Sequence, residues 1–308
     1  MNHARSRCPY VVSEDISTLL STWSAQNGFA LPEQSFFRSL RDEMKEELER
    51  IFGSMTVDFV DENTLRSRIK SLADEAKTIT ISLDPVYFGN GGLAIESTRL
   101  ADHSLSITNV GSRTQESLEV QLRRIAHYLT RIAQVDVQLV DDVLFSSGSI
   151  TNLIRRLNTL GIKVTRIIGG IVVGGARREI SATFPTVEVV AVFDYDSVID
   201  EVCERDFYPG VPLSGRLIGK GGSPHFPLES APYLLPFGHP DKWATIPKEC
   251  ERGWSLFCLQ QSIVLWKEIE KRSGRRVHCC ELERRPRTIP YDNSYFVDRL
   301  GHAADSLQ

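Results

Sequence analysis

Residues 135–160 read VDVQLVDDVLFSSGSITNLIRRLNTL, and this stretch decides the fold. An apolar run leads into two adjacent acids, Asp141 and Asp142, and three apolar residues then precede a short loop of small residues, 146–149. Apolar residues recur at helical spacing after the loop: Ile150, Leu153, Ile154, Leu157 and Leu160. The pattern predicts a buried strand, a loop and an amphipathic helix in that order, which is a repeating unit of α/β folds.

The loop and the two acids together have the chemistry of a site for a phosphorylated sugar. Small residues let successive backbone N–H groups point at a phosphate, and the following helix adds the positive end of its dipole. Two carboxylates at the carboxyl end of a strand accept hydrogen bonds from neighbouring sugar hydroxyls. The alternative is structural, because a strand, an acid, a Ser/Gly turn and a helix also connect α/β units that bind nothing.

Residues 139–149, LVDDVLFSSGS, resemble the phosphoribosyl-pyrophosphate (PRPP) binding motif of the type I phosphoribosyltransferases. That motif is an apolar strand followed by Asp-Asp, two apolar residues and Ala-Thr-Gly-Gly-Thr. The resemblance implies that Asp141 and Asp142 hold the ribose 2- and 3-hydroxyls. It also implies that the 5-phosphate is wrapped by the loop residues Ser146, Ser147, Gly148 and Ser149.

Two positions depart from the family motif. Phe145 takes the place of a small residue, where its ring would narrow the entrance to the pocket. Ser147 replaces a glycine, which matters if that residue needs a positive φ. The resemblance is specific over the motif and only topological over residues 78–210.

The resemblance implies a Mg²⁺-dependent enzyme that transfers or releases a phosphoribosyl group. Displacing pyrophosphate from the anomeric carbon builds negative charge on the leaving group, which Mg²⁺ and cationic donors stabilise. Asp141 and Asp142 are therefore the predicted catalytic carboxylates and the predicted metal ligands. Arg113, between a predicted strand and a predicted helix, is either the catalytic ligand of the pyrophosphate or an exposed arginine at a helix start. Asp84 either belongs to this shell or forms a turn.

The bulk composition is that of an ordinary soluble protein. The chain has 308 residues, 41% of them apolar and 25% charged, with a formal net charge of −4. This balance argues against a surface that coats nucleic acid, while a local basic patch at 267–287 stays open. No apolar run is long enough to span a bilayer, and the first residues lack a signal-peptide core. Six cysteines without C-x-x-C spacing indicate a cytoplasmic location, with zinc at His278-Cys279-Cys280 as the disfavoured alternative.

Three segments are predicted along the chain. Residues 1–77 form an N-terminal helical segment, residues 78–215 a phosphoribosyltransferase-like core, and residues 216–308 a Pro/Gly-rich region followed by a helix and a strand. Alternating strands and helices predict an α/β fold with an open, twisted, mostly parallel sheet, which is Rossmann-like. The flanks predict an N-terminal helical segment and a C-terminal α+β extension around it. Asn90-Gly91 predicts a hairpin turn within the core.

Further parts of the site are predicted outside the motif. A lid that excludes water is expected near residues 87–105 or 209–240, because almost no connector precedes the motif strand. Residues 193–196, FDYD, are the candidate contact for an acceptor base, with a strand-end turn as the alternative. Arg216 and Lys220 either meet phosphates or lie in an exposed loop.

Competing functions remain open from the sequence. The first is a phosphoribosyltransferase-like enzyme that binds PRPP or a nucleotide with Mg²⁺. The second is a module that senses PRPP or a nucleotide without turnover and acts through a protein partner or a homo-oligomer. A phosphoribosyltransferase-like domain with unfamiliar flanks is also similar to effectors of bacterial conflict systems, such as those that accompany retrons. Nucleic-acid binding through residues 267–287 would show as a steep salt dependence.

Overall fold

The computed structural model describes residues 8–53, 55–89 and 92–308. In these residues the helices are α1 (Ile16–Asn27), α2 (Gln34–Phe52), α3 (Glu62–Glu75), α4 (Leu118–Arg131), α5 (Gly148–Thr159), α6 (Gly174–Thr183), α7 (Pro240–Trp243), α8 (Glu251–Ser273) and α9 (Phe296–Asp305). The strands are β1 (Tyr10–Ser13), β2 (Val57–Val60), β3 (Ile79–Ser82), β4 (Leu93–Ala94), β5 (Ser97–Ala101), β6 (Ile107–Ser112), β7 (Asp136–Leu144), β8 (Lys163–Val173), β9 (Glu188–Tyr195), β10 (Asp200–Cys203), β11 (Arg216–Leu217), β12 (Gly219–Lys220), β13 (Ser223–Pro224), β14 (Glu229–Ala231) and β15 (Arg285–Pro286).

The motif strand β7 lies in the middle of a parallel sheet. Within the described residues this sheet has five strands in the order β4-β3-β7-β8-β9, and each neighbouring pair is parallel. Leu139 and Ile167 pack with α4 and α5, whereas the next residues, Val140 and Ile168, pack with α3. Because both faces are covered, apolar residues follow one another along parts of the central strands, as at residues 139–140 of β7 and 167–173 of β8. The predicted α/β fold with a mostly parallel sheet is confirmed.

The order of the sheet reverses between β3 and β7. The chain leaves β3, adds β4 on one side, and returns to place β7 on the other side. Ligands of open α/β sheets bind at such a switch point, outside the carboxyl ends of the strands. Asp84 follows β3, and Asp141 and Asp142 lie near the end of β7. The topology therefore brings three acids to this crevice.

The N-terminal region differs from its prediction in two places. The sequence predicts helix over residues 12–77, and α2 and α3 agree with that prediction. β1 and β2, however, pair in parallel and form a second sheet with β10. All four residues of β1, YVVS, are buried, so they show no alternation of apolar and polar residues. A buried run this short does not distinguish a strand from a helix, and the prediction of an all-helical segment is wrong there.

The predicted hairpin around Asn90-Gly91 is wrong in its pairing. β3 and β4 are parallel, so they are not the two strands of a hairpin. Asn90 and Gly91 themselves lie outside the described residues. The antiparallel hairpin of this region is formed instead by β5 and β6.

The C-terminal region is built on the long helix α8. The sequence predicts this helix over residues 248–272, and α8 confirms it with Trp254 and Trp266 fully buried. The predicted strand over residues 276–281 is wrong, because a 3-10 turn occupies its second half. That turn is closed by a capping box, in which Glu281 accepts a hydrogen bond of 2.8 Å from the backbone N–H of His278.

Gly170 lies where β8 approaches the motif strand β7 closely. A Cβ at this position of β8 would lie 2.6 Å from the carbonyl oxygen of Asp142 and 3.1 Å from the side chains of Leu65 and Ile69. Gly170→Ala is expected to lower the free energy of unfolding by about 1–3 kcal/mol, because a strand must shift. Urea denaturation measures this change. Gly175→Ala is the control, since a Cβ at Gly175 in α6 meets nothing within 4 Å.

Candidate functional site

A cavity of about 290 Å³ opens at the carboxyl end of β7. The motif contributes two acids, the aromatic ring and two hydroxyls to its wall: Asp141, Asp142, Phe145, Ser146 and Ser149. Arg113 also lines it, from the connection between β6 and α4 where the sequence predicts this residue. The structure therefore brings together six of the eight residues that the sequence singles out. Ser147 and Gly148 lie beside the cavity rather than in its wall.

Asp141 and Asp142 form a close pair of carboxyl groups. Both residues are half-buried, and the backbone N–H of Asp142 donates to Oδ1 of Asp141 at 3.1 Å. Burial raises the pKa of Asp141 well above its usual value, and the neighbouring charge of Asp142 raises it further. The unliganded pair therefore takes up a proton more readily than free aspartates do, and a ligand that brings hydroxyl donors or a cation would favour its ionised form.

Asp84 forms the turn after β3. Its carboxylate accepts from the backbone N–H groups of Val86, Tyr87 and Phe88 at 2.7, 2.8 and 2.6 Å. Of the two roles that the sequence leaves open, the turn former is therefore the one that the structure shows. Burial still raises the pKa of Asp84 to about 6, and the charge of Asp142 adds to that rise.

The loop at residues 146–149 ends at the first turn of α5. Ser147 is the N-cap residue, yet its side chain caps no backbone N–H and instead bonds to Glu179 on α6. The first N–H groups of a helix have no partner within the helix, and such groups form an anion site. Ser147 has a φ of −75°, so replacing the glycine of the family motif causes no strain here. Phe145 is 44% exposed and borders the cavity mouth.

Besides Arg99, four arginines line the cavity: Arg113, Arg205, Arg216 and Arg284. Each has a buried guanidinium N–H without a hydrogen-bond partner, on Nη1 of Arg113 and on Nε of the other three. We call this set the arginine wall. Buried donors without acceptors cost free energy, so such a wall favours an anionic ligand.

Other contacts fix the geometry of the arginine wall. Nη1 of Arg284 donates to the carbonyl of Leu213 at 3.1 Å, and Nη2 of Arg205 lies 3.8 Å from Oδ2 of Asp142. The guanidinium of Arg216 lies 5.1 Å from the ring centre of Trp243. Burial lowers the pKa of Arg284 to about 10, and the nearby charges of Arg113 and Arg205 also lower it. The charge of Glu283, 3.6 Å from Nε of Arg284, acts in the opposite direction and raises this pKa.

A buried ion network connects the arginine wall with the N-terminal helices. Arg205 pairs with Asp15, and its backbone N–H donates to Oδ1 of Asp15 at 2.9 Å. The neighbouring Glu204 receives two hydrogen bonds from Arg41 on α2, at 2.9 and 3.0 Å. Arg41 also lies 3.0 Å from Glu14. Asp15 is the N-cap residue of α1, so the network joins the cavity to both α1 and α2.

Several predicted contacts fall elsewhere. Residues 193–196 do not line the cavity, because β9 ends on another part of the surface, and Asp194 pairs with Arg177. Lys220 is exposed on β12. Arg216 does line the cavity, together with Asp206 and Tyr233 from the same region.

The sequence did not single out Arg99, Arg205 or Arg284 as site residues. Arg205 and Arg284 are far apart in the chain and belong to charged runs, EVCERD and LERRPR, that ordinarily lie on a solvated surface. Their burial results from tertiary packing, which leaves no local sequence signal. Arg284 is only 5% exposed, although it belongs to the segment 267–287 that the sequence leaves open as a basic surface patch.

The acid pair is the place where the residues fit a magnesium ion. Within the described residues, no group of three or more His, Cys, Asp or Glu side chains is arranged to hold a metal. Mg²⁺, however, is commonly bound by one or two carboxylates together with water and substrate phosphates. Burial is the largest cause of the raised pKa of Asp141, and the charge of Asp142 adds to it; a cation bound beside the pair would oppose both effects. Asp141 and Asp142 are therefore the residues that would hold it.

The acids at the crevice predict a pH dependence of stability. An acid with a raised pKa in the folded state holds a proton that the unfolded chain releases, so the free energy of unfolding falls as pH rises between the two values. For Asp84 this window extends up to a pKa of about 6, and for Asp141 it extends higher. The melting temperature of the unliganded protein is expected to fall by roughly 3–6 °C between about pH 5 and about pH 7. Asp141→Asn should flatten this fall, and an unchanged slope would contradict the pKa shift.

Comparisons with known proteins give a partial structural likeness. No protein-family model matches the chain, and no curated protein matches it. Adenine phosphoribosyltransferase from Thermoanaerobacter pseudethanolicus is 14% identical at a TM-score of 0.26, covering 43% of this chain and 79% of that one. Orotate phosphoribosyltransferase from Aeropyrum pernix is 16% identical at a TM-score of 0.23, covering 42% and 69%.

Adenine phosphoribosyltransferase from Leishmania donovani is similar to the same extent. It is 15% identical at a TM-score of 0.27, covering 44% of this chain and 66% of that one. At these TM-scores the likeness describes a partial overlap of the backbone and no more. Within the described residues, no helix is both long and apolar enough to cross a membrane.

Proposed function

We propose that the protein binds PRPP and acts as a phosphoribosyltransferase-like enzyme that transfers or releases the phosphoribosyl group. One observation carries this proposal. One cavity is bordered by three surfaces: the acid pair, the loop at residues 146–149 with the start of α5, and the arginine wall. We call residues 146–149 the serine loop. These three surfaces correspond to the three polar parts of PRPP, which are its diol, its 5-phosphate and its diphosphate.

The arginine wall favours PRPP over a nucleoside monophosphate as the ligand. A monophosphate places one anionic group on the loop and leaves a neutral base towards the wall. In the described residues five arginines and three aspartates line the cavity, so its lining is net positive, while Asp15, Glu96 and Glu283 lie outside the lining near three of these arginines. A diphosphate supplies acceptors for the guanidinium groups of Arg113, Arg205 and Arg284, which line the cavity. Binding of the diphosphate, the role predicted for Arg113, is thereby proposed for the whole arginine wall.

The chemistry assigned to these residues is stabilisation of a leaving group. The bond between the anomeric carbon and the diphosphate oxygen breaks, and its electron pair leaves with the diphosphate. The arginine wall would stabilise the charge that develops there, while the acid pair orients the sugar through its diol. A nitrogen or water acceptor then forms the new bond to the anomeric carbon and loses its proton. Mg²⁺, held with Asp141 and Asp142, would supply further charge compensation on the ligand.

A second candidate function is a sensor that binds PRPP without turnover. The buried ion network favours it, because Arg205 contacts Asp142 at the cavity and also pairs with Asp15 at the start of α1. A ligand that draws Arg205 towards its own anion would change a contact at the N-terminal helices. A sensor of this kind would bind PRPP without forming product, and it would pass the change at its N-terminal helices to a protein partner.

Calorimetric titration tests the binding that both candidates share. PRPP is expected to bind with measurable heat, and ribose 5-phosphate more weakly because it lacks the diphosphate. Mg²⁺ should strengthen the binding of PRPP more than that of ribose 5-phosphate. Release of pyrophosphate on incubation with PRPP separates the enzyme from the sensor. The absence of heat with every one of these ligands, with and without Mg²⁺, would remove both candidates.

A further inference from the structure

Arg99 lies on the serine loop although it belongs to a different part of the chain. Its Nη2 donates to Oγ of Ser146 at 2.9 Å, and its Nε donates to Oγ of Ser149 at 3.3 Å. Arg99 is exposed, lines the cavity and sits on β5, which pairs with β6 in an antiparallel hairpin. The guanidinium of Arg99 therefore contacts two hydroxyls of the serine loop, where the 5-phosphate is proposed to bind.

The partners of Arg99 leave its positive charge uncompensated. Within the described residues, its side-chain hydrogen bonds go to these two neutral hydroxyls, and no carboxylate lies within the distance of an ion pair. Most other arginines around the cavity have an acid nearby, such as Glu96 at 3.9 Å from Arg113 and Glu283 at 3.6 Å from Arg284. A planar guanidinium that is already oriented by two hydroxyls loses little rotational freedom when an anion joins it.

The position of Arg99 is fixed by the C-terminal region. Ala101 at the end of β5 forms a β-bridge with Ile218, and the backbone N–H of Ser112 donates to the carbonyl of Gly222 at 3.0 Å. A Cβ on Gly111 would lie 2.5 Å from that same carbonyl oxygen, so the two hairpins are in close backbone contact. The β5–β6 hairpin and the β12–β13 hairpin thus hold each other beside the loop.

We propose that Arg99 binds the phosphate of the ligand directly, so that the bound phosphate ties the serine loop to the β5–β6 hairpin. This inference rests on the proposed function, since it assigns a further ligand to the 5-phosphate. The phosphate accepts from the first N–H groups of α5 on one side and from the guanidinium of Arg99 on the other. Because the β12–β13 hairpin holds the β5–β6 hairpin, the C-terminal region supports the binding of the 5-phosphate. It also supplies Arg216 and Arg284 to the arginine wall. The site therefore selects a dianionic phosphate ester over an uncharged sugar.

Titration of ribose 5-phosphate into variants of Arg99 tests the inference. Arg99→Met is expected to weaken binding about 10- to 100-fold, which is the range for losing hydrogen bonds to a charged group. Arg99→Lys should recover part of the loss, because it keeps the charge but not the two-pronged geometry. Arg155→Met is the matched control, since Arg155 is an exposed arginine on α5 outside the cavity wall. Its binding should stay within about twofold of the wild-type protein.

Two further readouts separate a binding role from a structural one. Pyrophosphate alone should bind Arg99→Met as it binds the wild-type protein, because the arginine wall is intact. Ribose 5-phosphate should slow amide hydrogen exchange in β5 and β6 of the wild-type protein and not of Arg99→Met. Wild-type affinity in Arg99→Met would overturn the inference and leave the proposed function standing. Failure of ribose 5-phosphate and PRPP to bind the wild-type protein would overturn both.

Discussion

Asp142→Asn is expected to weaken the binding of ribose 5-phosphate more than about 100-fold, because a carboxylate that accepts from sugar hydroxyls is replaced by a neutral amide. Asp141→Asn should weaken binding to a similar degree. Asp141→Asn should also leave the unliganded protein as stable as the wild type or more stable. The reason is that burial and the charge of Asp142 raise the pKa of Asp141, so its ionised form is unfavourable in the folded state. Calorimetry gives the affinity, and thermal melting gives the stability.

Two controls connect this loss with the diol. Asp136→Asn alters the first residue of the same strand, where the carboxylate is 4.0 Å from Lys163, and it should bind normally. 2-Deoxyribose 5-phosphate, which lacks one hydroxyl, should bind the wild-type protein more weakly than ribose 5-phosphate does. Asp142→Asn should reduce its affinity by a smaller factor. An equal loss for both sugars would show that the acid pair acts on something other than the diol.

Arg284→Met is expected to weaken the binding of PRPP by about 100-fold or more while ribose 5-phosphate binds almost unchanged. The reason is that Arg284 belongs to the arginine wall, which is assigned to the diphosphate rather than to the 5-phosphate. Removal of one of several crowded cations should not unfold the protein, because burial and its cationic neighbours already lower the pKa of Arg284 to about 10. Titration with the two ligands under identical conditions gives the ratio of affinities.

A matched change nearby controls for the loss of a positive charge. Arg287 lies three residues further along and does not line the cavity, so Arg287→Met should preserve the ratio of PRPP to ribose 5-phosphate affinity. If Arg284→Met weakened both ligands equally, the arginine wall would not be a separate subsite for the diphosphate. The preference for PRPP would then need another explanation.

The fold of the core and the residues of the candidate site could be predicted from the sequence because both depend on local patterns. The apolar run and the helical spacing within residues 135–160 predicted β7 and α5, and the chemistry of residues 139–149 pointed to the acid pair and its serine loop. The connection that carries Arg113 was also identified as the end of a strand before a helix. Each of these signals is contained within a few neighbouring residues.

The remaining parts of the site depend on contacts between distant segments. Arg99, Arg205 and Arg284 meet around one cavity, yet nothing in their sequence neighbours separates them from surface arginines. β1 and β2 are short buried strands whose pairing is decided by burial in a second sheet rather than by alternation. Packing also determines the parallel pairing of β3 with β4, against the local preference of Asn-Gly for a hairpin.

A crystal structure of the protein with ribose 5-phosphate would show whether the cavity binds a phosphorylated pentose. The phosphate should lie at residues 146–149, at the start of α5, and the 2- and 3-hydroxyls should donate to Asp141 and Asp142. Density for the sugar in another pocket, or a phosphate bound on the arginine wall with the diol away from both acids, would contradict this placement.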